Sequence, residues 1–120
     1  MAGHGSFPEG IIAAVEQITG CGGVFIPLSN SGLSGDELET RLRATAAASG
    51  ARVFFTDLPA GSATLAVRRI MRERREIVLV TGANLAALLE FVFQSEISPA
   101  DAARHAADKG RLALTVYGDG

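Results

Sequence analysis

The sequence predicts an α/β fold: an open, mostly parallel sheet with helices on both faces, three layers in all. Two observations predict it. Short apolar runs alternate with segments of helical periodicity along the whole length. One of those runs, Val53-Phe54-Phe55, is apolar on successive residues, as expected of a strand covered on both faces. With 120 residues, 48% of them hydrophobic and 20% charged, the chain suits one soluble domain, residues 1–120, with one core.

Taken in order, residues 6–18 read as a helix. Pro8 falls in its first turn, where a missing N–H costs nothing, and Ile11, Ile12, Val15 and Ile18 recur at helical spacing before Gly20 stops it. Residues 24–28 form a short strand with Pro27 at its edge or end, and residues 29–32 a loop. Ser34-Gly35-Asp36-Glu37 is a capping box that opens a second helix, with Leu38, Leu42 and Thr45 along one side and Gly50 at its end. Residues 52–56 are the buried strand.

A third helix spans residues 62–73, with Leu65 and Ile70 facing inward. Arg68, Arg69, Arg72, Arg74 and Arg75 gather towards its end, where the helix dipole favours positive charge; they read as a solvated face, with docking of an acidic partner as the alternative. Residues 76–80 give another strand, closed by Thr81-Gly82. Residues 85–93 form a short apolar helix. Ser98-Pro99-Ala100-Asp101 starts another that Gly110 ends, and His105 lies on its polar surface. Residues 112–117 alternate enough to be a last strand. No repeat, linker or low-complexity segment interrupts the pattern.

The charge balance excludes several functions. A net charge of −2 and a pI near 5.6 give no basic surface for nucleic acid or for an anionic membrane. No apolar run is long enough to span a bilayer, and no leader peptide is expected. Cys21 is the lone cysteine, flanked by glycines with no evident base beside it in sequence; it reads as an inert thiol and points to a reducing cytoplasm.

Ligands of open α/β sheets bind at the carboxyl ends of the strands. Asp57 and Thr81-Gly82 fall at such ends. Gly3-His4-Gly5 precedes a helix, so His4 stands at the same edge if a strand leads into it. Only Met1 and Ala2 come before Gly3, so that first strand is expected to be missing or truncated.

The chemistry of these residues is coherent. A neutral imidazole nitrogen is a nucleophile near pH 7, and a carboxylate on the other nitrogen fixes the tautomer and stabilises the developing charge. Asp57 is the carboxylate to pair with His4. Gly61-Ser62, at a helix start, offers backbone N–H groups, a favourable dipole and a hydroxyl to phosphoryl oxygens. Phosphoryl transfer rests mainly on positioning and electrostatics, and these parts need no metal and no cofactor.

The same residues carry a family resemblance. Gly3-His4-Gly5-Ser6-Phe7-Pro8-Glu9-Gly10 resembles the opening of the IIA domains of the mannose family of the bacterial phosphoenolpyruvate-dependent sugar phosphotransferase system. Phe55-Thr56-Asp57-Leu58-Pro59-Ala60-Gly61-Ser62-Ala63 is similar to their second signature, with Ala60 and Ala63 where a glycine and a proline are usual. Thr81-Gly82-Ala83-Asn84-Leu85 matches a third. The resemblance implies a cytoplasmic phosphocarrier. His4 would accept phosphate from the carrier protein HPr and pass it to a IIB partner, with Asp57 on the other ring nitrogen and Ser62 at the phosphoryl group. It also implies a homodimer, in some members with exchange of the last strand, here residues 112–117.

Two other classes share parts of this pattern. A response-regulator receiver would carry its phosphoacceptor at Asp57, but it needs paired acids after the first strand and a lysine after a late one. Here Glu9 lies in a helix and Lys109 at a helix end. A non-catalytic or regulatory interaction domain, with His4 incidental, is the alternative.

Overall fold

The computed structural model describes residues 1–120. Five helices surround four short parallel strands, as the alternation predicts. The strands are β1 (Ala2–Gly3), β2 (Leu28–Ser29), β3 (Val53–Phe55) and β4 (Val78–Val80). Two parallel pairs form, β1 with β2 and β3 with β4. Ala2 joins them: it faces Leu28 on one side and Thr56 on the other, giving the lateral order β2, β1, β3, β4.

The helices are α1 (Phe7–Thr19), α2 (Gly35–Ser49), α3 (Ser62–Glu73), α4 (Leu85–Val92) and α5 (Pro99–Ala113). Successive residues of β3 separate the two layers of core. Phe54 packs with Leu38, Leu42 and Ala46 of α2 and Ala66, Val67 and Ile70 of α3. Phe55 packs on the opposite face with Ile11 and Val15 of α1, Leu88 of α4 and Ala106 of α5. There it meets Phe25 and Phe91 at centroid distances of 5.9 and 5.1 Å, both edge-to-face.

Local chemistry sets the helix ends. Pro8 lies in the first turn of α1, and Gly20 closes it at φ 73°. Ser34 and Glu37 form the reciprocal capping box of α2. Asn84 caps α4 and Ser98 caps α5, each accepting from the backbone N–H three residues on.

β1 pairs with β2 over two residues, Ala2 and Gly3. The Met1 ammonium donates to the Ile26 carbonyl at 3.0 Å, standing in for a ladder amide. Desolvation pushes its pKa down to about 6. Beside it lies a cavity of about 380 Å³, lined by Met1, Ile26, Leu28, Val53 and Phe55 among others. On this side β3 meets a strand only through the Ala2–Thr56 bridge.

Several expectations need correcting. The apolar run 24–28 is mostly not a strand: a tight turn over Gly22–Val24 takes the Phe25 N–H, Pro27 has none, and pairing starts at Leu28. Leu65 does not face inward; it is 50% exposed, and Ala63, Ala66, Val67 and Ile70 form the buried face of α3. Ile18 also lies outside the core of α1. Gly110 does not end α5, and residues 112–117 are not a strand: the helix continues to Ala113, and the remainder extends from it in the open.

Candidate functional site

His4 and Asp57 meet at the carboxyl end of the sheet. β1 ends at Gly3, so His4 is the first residue past the strand; β3 ends at Phe55, so Asp57 emerges beside it. Because β1 and β3 are parallel neighbours at Ala2 and Thr56, residues just beyond them converge. Asp57 Oδ2 accepts two bonds from His4, from the backbone N–H at 2.9 Å and from ring Nδ1 at 2.7 Å.

Burial alone would raise the Asp57 carboxyl pKa, but the bonds from His4 outweigh it and hold the group below its ordinary value. An ionised carboxylate only accepts, so Nδ1 carries the shared proton; in the neutral ring the lone pair is then on Nε2. The ring is accessible, with His4's side chain 53% exposed against 13% for Asp57. The arrangement is an oriented, half-exposed imidazole held on a partly buried carboxylate.

Glycines make the approach possible. A Cβ on Gly3 would lie 2.7 Å from Asp57 Cγ and Oδ2, so any side chain there would displace the carboxylate. Gly5 holds φ 54°, the left-handed turn that sends the chain from His4 into α1, and the Phe7 N–H bonds back to the His4 carbonyl at 3.0 Å.

The third expected part also converges. Gly61 precedes α3 at φ 137°, a conformation available in practice only to glycine, and its Cβ position faces His4 Cε1 at 3.5 Å. Ser62 is the first residue of α3, where backbone N–H groups lack intrahelical partners. The structure thus brings His4, Asp57, Gly61 and Ser62 to one edge.

Three contributors carried no signal in the sequence. Thr56 and Thr64 are buried and share a hydrogen bond of 2.7 Å between their hydroxyls. Thr64 also donates to the Leu58 carbonyl, tying α3 to the turn after Asp57. Asn30, just past β2, donates from Nδ2 to Ser62 Oγ at 2.9 Å. A threonine at a strand end, another in a helix and an asparagine in a loop are too common to single out before the fold is known.

No group of three or more His, Cys, Asp or Glu side chains is placed to hold a metal ion. Cys21 is exposed and lies at the other end of α1 from His4. No helix is long and apolar enough to cross a membrane.

Residues 1–107 match the family model described as the fructose IIA component of the phosphotransferase system, EIIA-man. The chain belongs to this mannose-type IIA family. Solved structures agree on the IIA fold. The mannose/sorbose-specific IIA subunit of Enterococcus faecalis superposes with a TM-score of 0.83 at 20% identity, over 99% of this chain and 92% of that one. A phosphotransferase EIIA component of Streptococcus agalactiae gives 0.81 at 20% identity, over 96% and 92%. The IIA protein associated with the fucose utilization operon of Streptococcus pneumoniae gives 0.78 at 20% identity, over 96% and 88%. Among curated proteins none matches significantly. The chain is therefore a IIA component of a sugar phosphotransferase system.

Proposed function

We propose that this IIA component is a phosphohistidine carrier, taking a phosphoryl group from HPr on Nε2 of His4 and passing it to a IIB partner. The observation that carries the reading is the 2.7 Å contact from His4 Nδ1 to Asp57 Oδ2, which leaves Nε2 as the free nucleophile. In the first step Nε2 attacks phosphorus, the N–P bond to the HPr histidine breaks, and that histidine recovers its lone pair. Nδ1 keeps its proton, and the charge gained by the His4 ring falls beside Asp57. The second step is the same exchange onto IIB.

Phosphoryl oxygens bring negative charge to the ring. The N–H groups at the start of α3, the helix dipole and the Ser62 hydroxyl supply donors for it, with Gly61 letting the backbone come close. No metal is needed for this step, which depends on alignment and charge. The sugar is set elsewhere in such systems.

The working protein is a cytoplasmic homodimer in this reading. Residues 114–117 support it: Leu114, Val116 and Tyr117 are 86%, 95% and 90% exposed, an apolar, alternating tail suited to pair with a second copy.

The test is intact-mass spectrometry after incubation with phosphoenolpyruvate, enzyme I and HPr. The carrier reading expects an acid-labile gain of one phosphoryl group, absent in His4→Ala. A folded protein that gains none is instead the non-catalytic interaction domain.

A further inference from the structure

We infer that Asn30 is a positioning residue for phosphoryl transfer that acts by fixing which way the Ser62 hydroxyl points; the inference rests on the phosphocarrier reading.

Asn30 is held from both sides. Its backbone N–H donates to the Gly3 carbonyl at 2.9 Å, carrying the β1–β2 ladder up to the residue before His4. Its carbonyl accepts from Leu33 at 3.1 Å, closing a turn in which Gly32 takes φ 73°. The strand that places His4 therefore also places Asn30. From there the side-chain amide reaches across to α3 and donates to Ser62 Oγ at 2.9 Å, in a partly buried position.

The contact is not part of a helix cap. Gly61 precedes α3 and no side chain caps the helix, so the Ser62 hydroxyl is not engaged in capping. A serine hydroxyl has one proton to give and two lone pairs to fill. The Asn30 NH₂ group fills one lone pair and cannot accept the proton. The hydroxyl is left to donate elsewhere, and Ser62 adjoins Gly61, whose Cβ position faces His4 Cε1 at 3.5 Å. A hydrogen bond into one end of a hydroxyl also strengthens the bond it gives from the other. By contrast, Ser29, at the end of β2, donates to Ser31 Oγ at 3.0 Å.

The test is a cycle of variants read as single-turnover transfer from phosphorylated HPr: Asn30→Ala, Asn30→Asp and Ser62→Ala, then each Asn30 change combined with Ser62→Ala. Melting temperature is followed in all. Asn30→Ala is expected to slow the limiting rate about tenfold, the scale of one charge-assisted hydrogen bond, with the half-saturating HPr concentration and the melting temperature unchanged. Asn30→Asp is expected to be slower than Asn30→Ala, because a carboxylate there accepts the Ser62 proton. Its added charge is measured separately by comparing the two changes in the Ser62→Ala background. In that background Asn30→Ala should cost nothing further.

An equal slowing by Asn30→Ala with and without Ser62 overturns the inference, as does parent-like transfer by Asn30→Asp. Parent-like transfer by Ser62→Ala also overturns it, while leaving the His4 reading intact. Failure of the parent chain to take a phosphoryl group overturns both.

Discussion

One oxygen of Asp57 holds His4 twice, by its backbone N–H at 2.9 Å and by its ring Nδ1 at 2.7 Å. The bond to the backbone fixes where the residue sits, and the bond to the ring fixes how it is turned. A single carboxylate thus couples the end of β3 to both the position and the tautomer of a residue at the end of β1.

Asp57→Asn separates those two roles. The amide can still accept one bond, but it carries no charge and presents a donor that can bond Nδ1 in the wrong tautomer. By analogy with the loss of an orienting carboxylate elsewhere, transfer to His4 should fall by about 10³-fold or more. Thermal melting at neutral pH should drop only modestly, since His4 is half-exposed. Rapid-quench transfer from HPr measures the first effect and circular dichroism the second; an unchanged rate would remove Asp57 from the mechanism.

Gly3→Ala tests the closeness of β1 to Asp57. The added Cβ would meet Cγ and Oδ2 at 2.7 Å, so the carboxylate must move and both bonds to His4 lengthen. The expected cost is about 1–3 kcal/mol of stability, as for other overpacked sites, together with a loss of transfer comparable to Asp57→Asn. Denaturant unfolding and the same rapid-quench assay report the two. Gly5→Ala, with nothing within 4 Å of its Cβ position but φ at 54°, should disturb the turn rather than the carboxylate.

The Met1 ammonium makes stability depend on pH. Its folded pKa is depressed to about 6 from 8.0, so the unfolded chain binds this proton more readily than the folded one. Stability should be greatest above pH 8, fall as pH drops from 8 to 6, and level off below that. A shift of this size corresponds to about 2–3 kcal/mol. Acetylating the amino group removes the titration, so urea midpoints of the acetylated chain should lose this slope. A slope that survives acetylation assigns the dependence to another group.

Much of this organisation was legible in the sequence, because it depends on local chemistry. The capping box at Ser34 and Glu37, the closing glycines Gly20 and Gly50, and the span of α3 follow from neighbouring residues. So did the two-sided burial of β3, which Phe54 and Phe55 confirm by packing into opposite layers. His4 and Asp57 could be paired because parallel strands bring their following residues together.

What was not legible depends on tertiary contact. Gly110 looked like a helix stop, yet it serves close packing of α5 on α4. A Cβ there would lie 3.0 Å from Asn84 Oδ1 and 3.1 Å from Ala87 Cβ, and Asn84 donates to its carbonyl. Leu65 has a side chain of the core type, but the inward stripe of α3 is set by Ala63, Ala66, Val67 and Ile70. Asn30 and Thr64 gain meaning only once β2 and α3 stand beside β1 and β3.

In the proposed carrier, His4 acts through Nε2 because Asp57 holds Nδ1. The most direct measurement is phosphorus–nitrogen coupling in the NMR spectrum of the ¹⁵N-histidine-labelled protein, phosphorylated through HPr and compared with His4→Ala. One phosphohistidine is expected, on His4, with phosphorus coupled to Nε2 and with Nδ1 still protonated. Phosphorus on Nδ1, on His105 or on no histidine at all would contradict it.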